Sequence, residues 1–374
     1  MNRLVGADTG TGTGGCVPTG VLWVLVDAPY DNPAMQDRYP EPGRLENFRP
    51  GPGRGAPLRP PSAAAVQRAA LLMTLALGAV VVTGGAVRLT GSGLGCPTWP
   101  HCTGSSVTAG HGVHWVVELS NRMLTIGVFL GLLTTVALVW LRRPPRRDLR
   151  LLASGLLGGY LGQAVLGGVT VLTRLNPLAV AAHFLLSAVL VWNALVLYRR
   201  CGVQPGPSQP VVAPPLRLLG RLVAITTGVV LVVGTLVTGS GPHAGARVDN
   251  RLPFPLRDIA QLHSDIVLFL VGLTLATVLA LRLADAPRSL QRRGHLLLVI
   301  MVGQTVLGFT QYFLGLPSAL VGLHIAGATL LWAAALSFSL DMWQRPALGD
   351  IAAVHAPAVR EGGISVAVSE AATR

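Results

Sequence analysis

Apolar residues in this chain come in long unbroken runs separated by short polar connections, and neither alternate nor keep to one helical stripe. A helix that crosses a bilayer needs about 20 mostly apolar residues, because the hydrocarbon layer is about 30 Å thick and each residue adds about 1.5 Å. Nearly uncharged runs at 69–87, 123–141, 151–173, 177–198, 222–238, 266–281, 296–317 and 319–340 fit that requirement and predict eight transmembrane helices. The sixth run is short, so its helix is expected to start near Asp258, with His263 and Asp265 inside its first turns.

Composition agrees with this reading: 51% of the 374 residues are apolar and 12% are charged. The net charge of +13 is carried by arginine, since the chain has no lysine. So basic a soluble chain would suggest a nucleic-acid binder, but the arginines cluster where membrane topology needs them. Arg142, Arg143, Arg146, Arg147 and Arg150 lie between spans two and three, Arg199, Arg200, Arg217 and Arg221 flank the next such loop, and Arg282, Arg288, Arg292 and Arg293 the one after. The positive-inside rule then makes these loops and both termini cytoplasmic, in a multi-pass protein of the cell membrane surrounded by lipid, with no nucleic-acid partner.

Residues 1–65 are rich in Gly, Pro and Arg and read as a disordered cytoplasmic tail or an upstream mis-translated start; the apolar stretch 21–26 is too short to span. The expected organisation continues with a four-helix half at 66–200, a cytoplasmic linker at 201–215, a second four-helix half at 216–343 and a loose tail at 344–374.

The two halves repeat one another. Gly162-Gln163-Ala164-Val165-Leu166-Gly167 in span three returns 141 residues later as Gly303-Gln304-Thr305-Val306-Leu307-Gly308 in span seven. His183 in span four and His324 in span eight differ by the same 141, and Thr90-Gly91-Ser92-Gly93 recurs as Thr238-Gly239-Ser240-Gly241. An even number of helices per unit brings each copy in and out on one side, so the expected fold is all-α, two parallel four-helix bundles related by a pseudo-two-fold axis along the membrane normal.

Ionisable residues inside a membrane are expensive and mark function. His183 follows Pro177 by six residues, His324 follows Pro317 by seven, and His263 lies near the start of span six, which places all three at one depth toward the outer leaflet. Imidazoles on facing helices are the usual protein ligands of heme iron, so His263 and His324 form a natural pair in the second half. In the first half the position matching His263 is Asn121, to within one residue, a poor iron ligand with Glu118 one turn away on the same face. This half is therefore expected to hold a heme bound from one side by His183. A six-coordinate iron suits electron transfer, and a partly open one leaves room for chemistry.

Cys96 and Cys102, six apart in an outer loop, face an oxidising compartment and can form a disulfide, with a structural or a redox role left open. Cys201 and Cys16 are expected to be reduced. His101, His111 and His114 read as solvated loop residues and His243 as a loop-shaping residue. Arg88, Arg122, Arg174 and Arg257 lie near the outer boundary, where guanidinium groups can pair with heme propionates or simply snorkel.

The segment Arg88-Leu89-Thr90-Gly91-Ser92-Gly93-Leu94-Gly95-Cys96-Pro97-Thr98-Trp99-Pro100, with 118–124, Leu175-Asn176-Pro177 through His183, and 239–245, resembles the heme A synthase family over about residues 66–342. The Lys-free composition and Asn121 resemble its actinobacterial branch. The resemblance implies an oxidoreductase that converts the porphyrin C8 methyl of heme O, through hydroxylated intermediates, to the formyl group of heme A for cytochrome oxidase assembly. It assigns a permanent heme b to His263 and His324, and the heme O site to His183 and Glu118. Arg88, Arg122 and Asn121 are counted as binding residues of that site. Glu118 is expected to stabilise developing positive charge or to accept a proton from the attacking water. Asn121 departs from the family where many members have a second histidine, and Arg247 departs where an acidic residue often stands. A farnesylated substrate should enter from the lipid, with handover from heme O synthase, a protoheme farnesyltransferase, as one route. The electron acceptor and homo-oligomerisation are left open. The rival reading is a di-heme cytochrome b-like electron-transfer subunit.

Overall fold

The computed structural model describes residues 60–102, 112–206, 208–244 and 251–345. The tail through residue 59, Cys16, His111, Gly245, Arg247 and the chain after Arg345 lie outside the described residues.

Eight helices carry the described chain: α1 (Ala63–Leu89), α2 (Val113–Leu141), α3 (Arg147–Leu172), α4 (Pro177–Cys201), α5 (Pro214–Ser240), α6 (Leu256–Leu283), α7 (Arg288–Phe313) and α8 (Ser318–Leu340). They run from 23 to 29 residues, about 35 to 43 Å at 1.5 Å per residue, and so exceed the hydrocarbon thickness. All eight are long and apolar enough to cross a membrane, and the protein is a multi-pass membrane protein. The helices outrun the apolar runs because polar residues extend the same hydrogen-bonded coil into the headgroup region. Thus α1 starts at Ala63, where Ser62 caps it by accepting from the Ala65 N–H, and α6 starts at Leu256 rather than at Asp258.

The helix ends follow capping chemistry. Asn176 accepts from the Leu178 N–H and Pro177 occupies the first turn of α4, where its missing N–H costs nothing. At their C-termini α1, α3, α6 and α7 each close with a backbone bond from the residue two past the cap back to the last turn: Ser92 N to Val87 O at 2.9 Å, Leu175 N to Thr170 O at 2.7 Å, Ala286 N to Leu281 O at 3.0 Å and Leu316 N to Gln311 O at 2.7 Å.

Packing divides into two rings. α1 packs on α2 and α4, and α3 on the same two; α5 packs on α6 and α8, and α7 on the same two. Helices α1, α4, α5 and α8 join the rings, with α1 on α8 and α4 on both α5 and α8. The second ring closes around Val223, Leu270, Leu281, Leu297, Met301 and Phe338. On the seam Leu195, Ala224 and Leu336 are buried, and the Trp332 indole donates to Ala188 O at 2.9 Å.

Connections at the arginine-rich end are stapled by charge. Arg146 pairs with Asp148 at 2.7 Å and donates to Val203 O at 2.6 Å. Arg199 of α4 and Arg293 of α7 both pair with Asp341, just past α8. The linker and the end of α8 meet in a minimal antiparallel pair, β1 (Gln209–Pro210) against β2 (Trp343–Gln344). Arg217 and Arg221 lie over the Trp343 ring at 4.4 and 5.4 Å.

Candidate functional site

All three intramembrane histidines stand near the end opposite to that arginine-rich one. His183 is six residues into α4, His324 six into α8 and His263 seven into α6, a depth of about 9 to 10 Å along each helix. Each ring lies edge-on against a glycine of a neighbouring helix: a Cβ on Gly167, Gly234 or Gly308 would stand 3.2 Å from Cε1 of His183, His263 or His324 respectively. Any larger residue there would push the ring. Nδ1 of each ring is buried without a hydrogen-bond partner among the described residues.

The repeated glutamines explain why the two histidine helices sit alike. Gln163 Nε2 donates to the His183 carbonyl at 2.9 Å and to Ser187 Oγ at 2.6 Å, and Gln304 Nε2 donates to the His324 carbonyl at 2.6 Å. In both halves a Gln on the third helix therefore grips the backbone of the histidine, and the Gly one turn later receives its ring. The Gly-Gln-x-x-x-Gly repeat in the sequence pointed at this device without revealing its job.

The first half differs on its second helix. Asn121, eight residues into α2 where His263 is seven into α6, accepts through Oδ1 from Thr83 Oγ1 of α1 at 2.9 Å.

A disulfide-closed loop lies beside this half. Cys96 and Cys102 are joined. The Cys96 N–H donates to Glu118 Oε2 at 2.8 Å, and Arg122 donates to Glu118 Oε1 at 2.7 Å. The same guanidinium reaches Cys96 O at 3.0 Å and Thr98 O at 3.2 Å. Glu118, only 5% exposed, is thus the anchor of the loop, a role the sequence did not disclose. Trp99 lies against α3: a Cβ on Gly168 would stand 2.8 Å from its indole. Gly167, the next residue of α3, receives the His183 ring, so the loop packs on α3 beside the turn that receives that ring.

The remaining candidates divide clearly. Arg88 crosses from α1 to the other half, donating to the carbonyl of His243 and to Thr238 O at 3.4 Å. Its charge meets no carboxylate among the described residues. His243 shapes that loop, its Nε2 bonding Leu316 O at 3.0 Å. His101 is exposed, and His114 lies in the first turn of α2 rather than in a loop, with Nδ1 at 3.0 Å from Ser92 Oγ. Cys201 is free and buried. Arg174 and Arg257 are exposed at the histidine end.

These features fit heme. Half-buried imidazoles are suited to ligate iron, glycines leave the rings room, and a half-buried arginine that meets no carboxylate among the described residues suits a propionate. The fold and the histidine arrangement define an eight-helix membrane protein with intramembrane imidazole sites. The family model for COX15-CtaA, cytochrome oxidase assembly protein, matches residues 67–254, half of the chain, and the chain belongs to that family. A heme A synthase of Methylobacterium sp. (strain 4-46) is 27% identical over 321 residues, covering 68% of this chain and 85% of that protein. One of Methylobacterium radiotolerans is 28% identical over 352 residues, covering 76% and 88%. One of Staphylococcus epidermidis is 28% identical over 195 residues, covering 50% of this chain and 63% of that protein.

Proposed function

We propose that this protein is a heme A synthase, an oxidoreductase that turns the C8 methyl group of heme O into a formyl group for cytochrome oxidase assembly. The observation that carries the reading is the asymmetry of two otherwise matching sites, His263 with His324 in one and His183 facing an asparagine helix in the other, in a chain of this family. Methyl plus water gives formyl, four protons and four electrons. The second half would hold heme b between His263 and His324, and bound there it supplies one-electron transfer toward an acceptor outside the chain. Heme O is the substrate of the first half.

Within that half, His183 would ligate the substrate iron, with Gln163 and Gly167 fixing the ring. Asn121 and Thr83 keep the opposite side polar without a second imidazole. Glu118 would take a proton from the attacking water, and its bonds to Arg122 and Cys96 hold the carboxylate in place under a loop that limits water entry. Arg122 and Arg88 offer their remaining donor capacity to propionates.

The arginine-rich loops argue for a cytoplasmic location of that end and of both termini in the cell membrane, with the histidine sites toward the outer face. The matching Gln–His–Gly devices and the two helix rings support a duplicated four-helix unit, at 66–200 and 216–343, about an axis along the membrane normal. Supply from a heme O synthase and a homo-oligomeric state are compatible with lateral entry from lipid.

Co-expression with a heme O source, followed by acid extraction and mass measurement of the hemes, tests the reading. Wild type should accumulate heme A, while His183→Ala should leave heme O unconverted and His324→Ala should lose the second-half heme and turnover together. Heme b alone in both halves would replace this reading with that of a di-heme electron-transfer subunit.

A further inference from the structure

The four helices that share one terminating turn differ in the residue that bears its left-handed φ. That residue is Gly91 after α1 (φ 69°), Gly315 after α7 (φ 76°), Asp285 after α6 (φ 47°) and Arg174 after α3 (φ 55°). The position favours glycine because a Cβ there crowds the carbonyl that follows, and short Asp or Asn are the usual exceptions. A long cation has no such excuse. The repeat supplies the control, since Gly315 is the residue 141 positions after Arg174 and the next residues, Leu175 and Leu316, adopt the same left-handed conformation (φ 61° and 62°). The turn itself works with glycine in the second half, so the first half keeps a strained side chain that the backbone does not need. At this position a side chain is kept in one copy and replaced by glycine in the other, which points to a role for the guanidinium.

Its position gives the role. The turn leads directly into α4, which carries His183. One and a half to two turns before Arg174 are Gly168, against which Trp99 lies, and Gly167, which receives the His183 ring, and Leu175 is 3.0 Å from a Cβ placed on Gly93, in the segment between α1 and the disulfide loop. Arg122 and Arg88 are partly engaged by loop carbonyls, whereas Arg174 is exposed and makes no such bond among the described residues.

We propose that Arg174 is a substrate-orienting residue that pairs with a propionate carboxylate of the porphyrin held in the first half. This rests on the heme O reading above. A lipid headgroup phosphate offers similar anion chemistry, so the test must separate the two.

The full chain is reconstituted in nanodiscs of neutral phosphatidylcholine, or with anionic phosphatidylglycerol added, and titrated by absorbance with heme O and with its propionate dimethyl ester. Arg174→Gly should raise the apparent melting temperature by about 2 to 4 °C. It should weaken heme O binding about five-fold in both lipids. The ester should bind wild type and variant alike, Arg174→Lys should keep part of the affinity, and Gly315→Arg should lower the melting temperature without tightening heme O. An unchanged heme O affinity in Arg174→Gly overturns the proposal, as does an equal loss with the ester or a loss confined to anionic lipid. If wild type fails to bind heme O, or binds it independently of His183, the functional reading falls with it; if only the Arg174 variant is indifferent, this inference alone fails.

Discussion

Substituting Arg122 with alanine would isolate the clamp between α2 and the disulfide loop. In the native protein the Glu118 and Arg122 side chains are 7% and 19% exposed and 2.7 Å apart. Removing one member of a buried ion pair costs about 3 to 5 kcal/mol, mostly because the survivor is a buried charge without its partner. Water reaches Arg122 more easily than Glu118, and the Cys96 N–H still bonds the carboxylate, so the lower end applies, about 3 kcal/mol. Glu118→Gln removes the charge but leaves an oxygen for the Cys96 N–H, and should cost about 1 to 2 kcal/mol. The double variant holds no stranded charge, so its loss should fall short of the sum of the single losses by about 2 kcal/mol. Unfolding in mixed detergent micelles, followed by tryptophan fluorescence, measures all three, since Trp99 sits in the clamped loop. Strict additivity would refute the coupling and leave the observed contact without energetic meaning.

Three further outcomes are expected. Gly308→Ala should displace the His324 ring and alter the visible spectrum of the heme proposed for the second half, whereas Gly303→Ala, whose Cβ meets nothing within 4 Å, should leave the spectrum alone and stabilise α7 by up to about 1 kcal/mol; matching spectra in both variants would argue against the ring contact. Reducing Cys96–Cys102, or replacing both with serine, should lower stability by about 2 kcal/mol through the freed six-residue loop, read as an earlier unfolding midpoint; an unchanged midpoint would show that the Glu118 clamp alone holds the loop. Asp341→Asn should weaken the staple between Arg199 and Arg293 by about 1 kcal/mol, with the difference from wild type shrinking as salt is raised.

The eight spans were legible because a bilayer imposes one crude requirement, a long apolar run, that no tertiary detail can override. The histidine depth was legible for a related reason: Pro177 and Pro317 mark where helices start, and counting residues from them measures depth. The repeat marked Gln163, Gln304, Gly167 and Gly308 without saying that they hold a carbonyl and a ring edge. Less was visible in the loops. That Glu118 anchors Cys96, that Trp99 covers Gly168, and that Arg88 reaches the other half to bond His243 are contacts between residues of no shared period, fixed only once the helices are in place. Arg174 carried a signal that went unread, since its counterpart in the repeat is a glycine.

Equal helical depth of His183, His263 and His324 also bears on bioenergetics. Carrying one elementary charge across a bilayer changes its energy by about 2.3 kcal/mol per 100 mV. If hemes occupy both halves as proposed, an electron passing between sites at the same level travels sideways and does no work against that voltage. The proposed internal handover should therefore run equally well in a resting and in a fully energised cell, leaving the step that delivers electrons out of the protein as the one that senses respiration.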